Sequence, residues 1–305
     1  MQDRPVEYRQ LHQLEVQFFL REHFPSQAWE FSLPKGTGSE TYFAQNNERS
    51  CFIKLGAQAD RYQTLASLGL TPEVLAAGLL DDGTSILVQP FVAARTPTRR
   101  DYQIHLEQFA TAIARVHSNP SIKKVLPRAS SELYRELGLE ALARIRQKWS
   151  RYQAQVPQTA GFIEESLELL GQQAQDFQGA GLVASHNDIC NANWLIDPDG
   201  HLYLIDLDSM QWDDPAVDIG ATLWWYYPPE LRQKFLTIVG HADDRAFENR
   251  MRVRMTLHCL NICLPRENSF DQFDPAAFSG RLADFRACLA SEENPQGYAD
   301  VSQNK

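Results

Sequence analysis

The chain has 305 residues, and 29 Lys and Arg against 39 Asp and Glu leave it a net charge of −10. That balance argues against nucleic acid as a main partner, because phosphates are bound by basic surfaces. A hydrophobic fraction of 43% with 22% charged residues excludes extensive disorder, and at this length cores tend to divide, so two lobes flanking a cleft are expected.

Residues 8–23 carry Leu11, Leu14, Phe18 and Phe19 at helical spacing, which predicts an amphipathic opening helix. The period then changes to short apolar runs: WEFSL, TYFAQ and CFIKLG predict three antiparallel strands, joined by the glycine-bearing loop PKGTGS and the turn QNNERS. RYQTLASLGL reads as a helix, and VLAAGLL and SILVQPFV as two further strands. Residues 1–91 therefore form a β-rich lobe and 92–100 a linker. Residues 101–291 form a helical lobe, with helices predicted over 103–117, 131–152, 159–177, 229–239, 245–263 and 275–290, the last capped by Asp274 and Pro275. A β-like island, GLVASHNDICNANWLID and HLYLIDLD, interrupts them, and 292–305 is a polar, fraying tail. The fold class is α+β with two lobes.

No run of about 18 uncharged apolar residues occurs and the N-terminus is polar, so a cytoplasmic location without a membrane partner is expected. The five cysteines are odd in number and scattered, which reads as reduced. Cys259 and Cys263 lack a second ligand pair at zinc-finger spacing and are assigned to the core.

Most unusual residues gather in the island. Asp188 lies in His186-Asn187-Asp188, Asn193 follows five residues later, and an apolar strand ends in Ile205-Asp206. Phosphoryl transfer from ATP asks for a carboxylate near the attacking hydroxyl and oxygen ligands for Mg²⁺. Asp188 fits the first role; Asn193 and Asp206 fit the second, since a short hairpin can bring both to one point. In the other lobe, Lys54 of CFIK can reach the phosphates. Gly36, Gly38 and Ser39 offer unobstructed backbone N–H groups to cover them, and the segment 88–92, with Gln89 and Phe91, offers backbone groups to the adenine.

SHNDICNANWLID and LYLIDLDSMQWDDPAVDIG resemble the catalytic and metal-binding segments of the aminoglycoside phosphotransferase and choline kinase superfamily, which has a protein-kinase-like fold. The resemblance is specific over 183–220, moderate over 31–92 and the helix ending at His117, and absent over 125–178 and 240–305. It implies Asp188 as catalytic aspartate, His186 as a loop-orienting residue and Asn193 and Asp206 as magnesium ligands. Lys54 becomes the phosphate lysine and Asp218 a structural carboxylate for the catalytic loop. Two departures stand out. Arg61 occupies the place of the helix glutamate that usually pairs with the lysine, leaving Asp60 as the nearby acid. Asn187 replaces a glycine common in antibiotic kinases, a form associated with choline, ethanolamine and related kinases.

Downstream, Trp224, Trp225, Tyr226 and Tyr227 are consecutive aromatics that can hold a cationic acceptor by cation–π attraction, although four in a row point around a whole helix and at least two must be core. Trp224, Trp225, Tyr227 and Asp208 are the acceptor candidates, with Asp213 and Asp214 adding negative charge. The expectation is an ATP- and Mg²⁺-dependent kinase for a cationic amino-alcohol such as choline or ethanolamine, with aminoglycoside and thiamine as alternative acceptors and the oligomeric state open. The missing helix glutamate favours a catalytically silent nucleotide-binding module as a second class. A hydrolase holding metal on His186, Asp188, Asp206 and Asp208 is a third.

Overall fold

The computed structural model describes residues 6–25, 28–32, 41–266 and 272–300. In chain order the elements are α1 (Val6–His23), β1 (Glu30–Ser32), β2 (Thr41–Gln45), β3 (Ser50–Leu55), α2 (Ala59–Ser67), β4 (Ala76–Leu79) and β5 (Ser85–Pro90). These are followed by α3 (Arg99–Ile104), α4 (Leu106–Ser118), α5 (Pro120–Lys124), α6 (Tyr134–Ser150) and α7 (Pro157–Gln175). Four short strands come next: β6 (Val183–Ser185), β7 (Trp194–Ile196), β8 (Leu202–Leu204) and β9 (Gln211–Asp213). The chain closes with α8 (Ala216–Tyr226), α9 (Pro229–Ile238), α10 (Arg245–Cys263), α11 (Pro275–Arg281) and α12 (Ala283–Leu289). The predicted helix over 103–117 is two helices broken at His105, and that over 275–290 is two broken at Leu282. The glycine-bearing loop that includes Gly36, Gly38 and Ser39 lies outside the described residues.

The chain divides into two compact units, one of Met1–Thr96 with Asn193–Asp208, the other of Pro97–Ala192 with Ser209–Lys305. In the first, five strands form an antiparallel sheet in the order β1-β2-β3-β5-β4. Alternation along β3 buries Cys51, Ile53 and Leu55 against Val16, Phe19 and Leu20 of α1, so Phe52 and Lys54 face the opposite side. α1 is also held by polar contact, since His12 Nε2 lies 3.1 Å from the Asp82 carboxylate in the β4–β5 turn. The β7–β8 hairpin, which the sequence places in the helical lobe, groups instead with this unit. Its backbone bonds there account for that: Leu204 N–H donates to Leu70 O (2.7 Å), and Arg95 and Ile196 exchange bonds of 3.0 and 2.8 Å.

The second unit is helical around one core of Trp149, Leu167, Val253, Leu260 and Phe285 among others. α8 and α10 approach closely at Gly220, where an added Cβ would lie 3.4 Å from Met251 O. Two buried ion pairs fix the entry to α8: Arg254 to Asp213 at 3.0 and 3.1 Å, and Arg250 to Asp214 at 2.9 Å. Asp213 and Asp214 are thus neutralised in the interior and add no charge to a surface site. The segment before residue 301 does not fray: Asn294, 4% exposed, donates to Trp224 O, and Tyr298 donates to Glu293 and accepts from Arg232. All five cysteines are free thiols, four of them buried. Among the described residues no helix is long and apolar enough to cross a membrane.

Candidate active site

Lys54 and the end of the β7–β8 hairpin form one constellation, wholly within the first unit. The Lys54 ammonium lies 2.6 Å from Asp206 Oδ1 and 2.8 Å from Asp208 Oδ2, and donates to the Tyr62 hydroxyl at 3.3 Å. Burial alone would lower the lysine's pKa; Tyr62 and the two carboxylates outweigh it and raise the value, so the ammonium stays charged. Asn193 sits at the hairpin's base, where its carbonyl accepts from Ile205 N–H at 2.9 Å, beside Asp206. Asp206 has φ of 57°, a left-handed conformation costly for a residue with a Cβ and found where a site imposes it.

The lysine's partners are therefore carboxylates of the hairpin, not an acid of α2; Asp60 is exposed. Arg61 does something different from the glutamate whose place it takes. It is 4% exposed and donates from Nη1 to Leu207 O (3.0 Å) and Asp208 O (2.9 Å), while the neighbouring Tyr62 hydroxyl accepts from Leu207 N–H at 3.3 Å. α2 thus holds the backbone of the acidic turn rather than the lysine. Asp208, expected at the acceptor, belongs with Lys54 and Asp206.

On Lys54's side of the sheet the β2–β3 register sets Phe43 opposite Phe52. Phe43 meets Phe91 edge-on at 5.2 Å, and Phe91 is 48% exposed. This aromatic face can stack on a planar ring, and the sequence pattern singled out only Phe91 of it. The Gln89 side chain is buried and donates to Pro72 O at 2.7 Å, so only the backbone of this residue remains for the expected adenine role. The Phe91 N–H is taken by Ser50 O.

A second constellation lies within the helical unit. Asp218 is 1% exposed and accepts from three donors: His186 N–H at 2.7 Å, Asn187 N–H at 2.9 Å and His117 Nε2 at 3.0 Å. Burial opposes ionisation of this carboxylate, but His117 and the loop donors prevail and its pKa is lowered. His186 is 1% exposed and its backbone N–H is held by Asp218, which leaves it too enclosed for the metal-ligand role of the hydrolase reading. Asn187 takes the left-handed turn with φ of 63° that presents the next residue, Asp188, to solvent. The loop's far end is tied by Asn191 N–H to the Tyr226 hydroxyl at 2.7 Å, and Tyr226 stacks on Tyr102 at 3.8 Å. That anchor was not legible in the sequence.

The aromatic run separates by role. Tyr227 is fully buried against Phe235, and Trp224, 7% exposed, lies in the core, so neither reaches an acceptor. Trp225 does face a recess. That cavity, ≈ 70 Å³, is lined by Asp188, Asn187, Trp225, Arg254, Met255 and His258, together with neighbouring residues.

A lysine held by two half-exposed carboxylates and an exposed aspartate on a hydrogen-bonded loop are the parts of a phosphoryl-transfer enzyme. The sequence profile of the phosphotransferase enzyme family (APH) matches residues 11–255. The chain belongs to that family and is a phosphotransferase with a protein-kinase-like fold. Its structure is similar to that of choline kinase LicA from Streptococcus pneumoniae, with a TM-score of 0.64 at 16% identity over 92% of this chain and 99% of that one. A spectinomycin phosphotransferase in complex with ADP and spectinomycin gives 0.62 at 16% identity over 91% and 96%. A choline/ethanolamine kinase family protein from Mesorhizobium loti gives 0.55 at 18% over 93% and 96%. At these identities the likeness speaks to fold.

Proposed function

We propose that the chain is an ATP- and Mg²⁺-dependent kinase that phosphorylates the hydroxyl of a small cationic amino-alcohol of the choline or ethanolamine type. The observation that carries this reading is Lys54 held by Asp206 and Asp208. One cation against two carboxylates leaves a net negative oxygen site, a donor set suited to a hard divalent ion. The carboxylates are 49% and 52% exposed, free enough to turn from lysine to metal. Asp206 and Asn193 would hold Mg²⁺, which when bound neutralises charge on the phosphates. Lys54 would hold the phosphates, with Phe43 and Phe91 beside the base. In the transfer the acceptor oxygen bonds to the γ-phosphorus as that atom's bond to the β–γ bridging oxygen breaks. ADP leaves, and the hydroxyl proton passes to Asp188 and on to solvent.

With two carboxylates on Lys54 in place of the helix acid, the ground for a silent module falls away. A small acceptor is favoured over an aminoglycoside by the recess beside Asp188, which at ≈ 70 Å³ is too small for several sugar rings. The relatives' names, choline kinase and spectinomycin phosphotransferase among them, span both acceptor classes. A coupled ADP-release screen at fixed Mg²⁺·ATP with choline, ethanolamine, thiamine, amino sugars and aminoglycosides tests the reading. Acceptor-dependent release with an amino-alcohol is the expected result; release only with an aminoglycoside, or with none, would overturn it.

A further inference from the structure

The recess beside Asp188 contains a group that the transfer step does not use. His258 projects from α10 into it, and among the described residues nothing hydrogen-bonds its ring. Its nitrogens are not among the buried polar atoms lacking a partner either, so they open onto the cavity. A histidine so placed, on a helix otherwise engaged in core packing, has polar valence to offer a ligand and no structural use for it.

The surroundings define what it would meet. Asp188 and Asp218 are the carboxylates that line the recess, and Asp218 is engaged by its three donors. Arg254 also lines it, but its guanidinium is spent on Asp213 and on Leu137 O, so among the described residues the recess has no uncommitted cation. Trp225 supplies an aromatic wall. Burial lowers the His258 pKa against the opposing pull of Asp188, which keeps the imidazole neutral and able to accept a hydrogen bond.

We propose that His258 accepts a hydrogen bond from the ammonium N–H of the acceptor, which makes the preferred substrate a primary, secondary or tertiary amino-alcohol rather than a quaternary one. This rests on the kinase reading above. An ethanolamine-like molecule would set its hydroxyl at Asp188 and its nitrogen against His258 and Trp225. A quaternary nitrogen has no N–H and would leave the ring nitrogen unpaired, and sites built to receive a hydrogen bond discriminate strongly against ligands that lack it.

The test is kcat/KM for ethanolamine, N-methylethanolamine, N,N-dimethylethanolamine and choline in the wild-type enzyme and in His258→Phe and His258→Gln. The first three carry an N–H when protonated. The wild type should lose roughly tenfold or more at the last methylation, as expected for a forfeited hydrogen bond in a partly open site. His258→Phe should raise the ethanolamine KM and flatten the series, with KM for ATP unchanged; His258→Gln, which keeps an acceptor oxygen, should restore part of the selectivity. Choline used as well as ethanolamine by the wild type, or an ethanolamine KM unmoved in folded His258→Phe, overturns the assignment and leaves the kinase reading standing. Absence of ADP release with every member of the series, while Mg²⁺·ATP still binds, overturns the kinase reading itself and this inference with it.

Discussion

The carboxylate of Asp218 is where fold and chemistry meet most tightly, and its removal gives a sharp prediction. Asp218→Ala strands the buried backbone N–H of His186, the partly buried N–H of Asn187 and the His117 ring. Each unsatisfied buried donor costs about 1–3 kcal/mol. Three donors lose their acceptor and two of the bonds are only partly buried, so the lower part of that range applies and the total is about 3–5 kcal/mol. At roughly 2 °C per kcal/mol, the low end for larger proteins, calorimetry should register a fall in Tm of about 6–10 °C. Below that transition the folded variant should still bind Mg²⁺·ATP, yet turn over at least about tenfold slower, because the loop presenting Asp188 has lost its tether. Asp218→Asn retains one acceptor oxygen and should lie between wild type and alanine. The pKa is lowered in the folded state, so the stabilisation is fully present above the unfolded carboxylate value of about 3.9 and is lost as pH falls below it. The Tm gap between wild type and Asp218→Ala should therefore be flat from neutral to mildly acidic pH and close in stronger acid. A gap of under 2 °C at pH 7 (about 1 kcal/mol) would refute the reasoning.

Lys54→Met should raise KM for ATP and cut kcat by roughly two orders of magnitude, while Tm moves little, since both carboxylate partners are half exposed and such pairs contribute at most about 1 kcal/mol; steady-state kinetics and calorimetry read both. Arg61→Met removes two bonds to the carbonyls of Leu207 and Asp208 and should weaken Mg²⁺·ATP binding about tenfold in isothermal titration, at a stability cost of about 2–4 kcal/mol for a buried charged donor. Tyr226→Phe strips the Asn191 N–H of its acceptor and should lower kcat more than KM for ATP, with a Tm loss equivalent to about 1–2 kcal/mol.

Local pattern carried much of this in the sequence. Lys54 stood out as a lysine in the apolar strand CFIK, and the spacing from Asp188 to Asn193 and on to Asp206 marked the loop and hairpin. What stayed hidden depends on tertiary docking. Nothing within RYQTL announces that Arg61 reaches backbone carbonyls 146 and 147 residues away, or that Asp208 turns to the lysine. The four consecutive aromatics look alike in a row, and only the neighbours of α8 decide that Trp224 and Tyr227 are core, Tyr226 an anchor and Trp225 a wall. Asp213 and Asp214 read as surface charge because their arginine partners lie on α10, far along the chain. His258 carried no pattern at all, since a cavity is a property of packed helices.

The most direct measurement of the central claim is transfer of label from γ-labelled ATP to ethanolamine by the wild-type enzyme and by Asp188→Asn, with Mg²⁺·ATP binding followed in parallel. Labelled phosphoethanolamine formed by the wild type, with the variant binding nucleotide normally yet retaining no more than a few per cent of the transfer, is the result expected. Transfer by Asp188→Asn at a rate close to wild type would contradict the account.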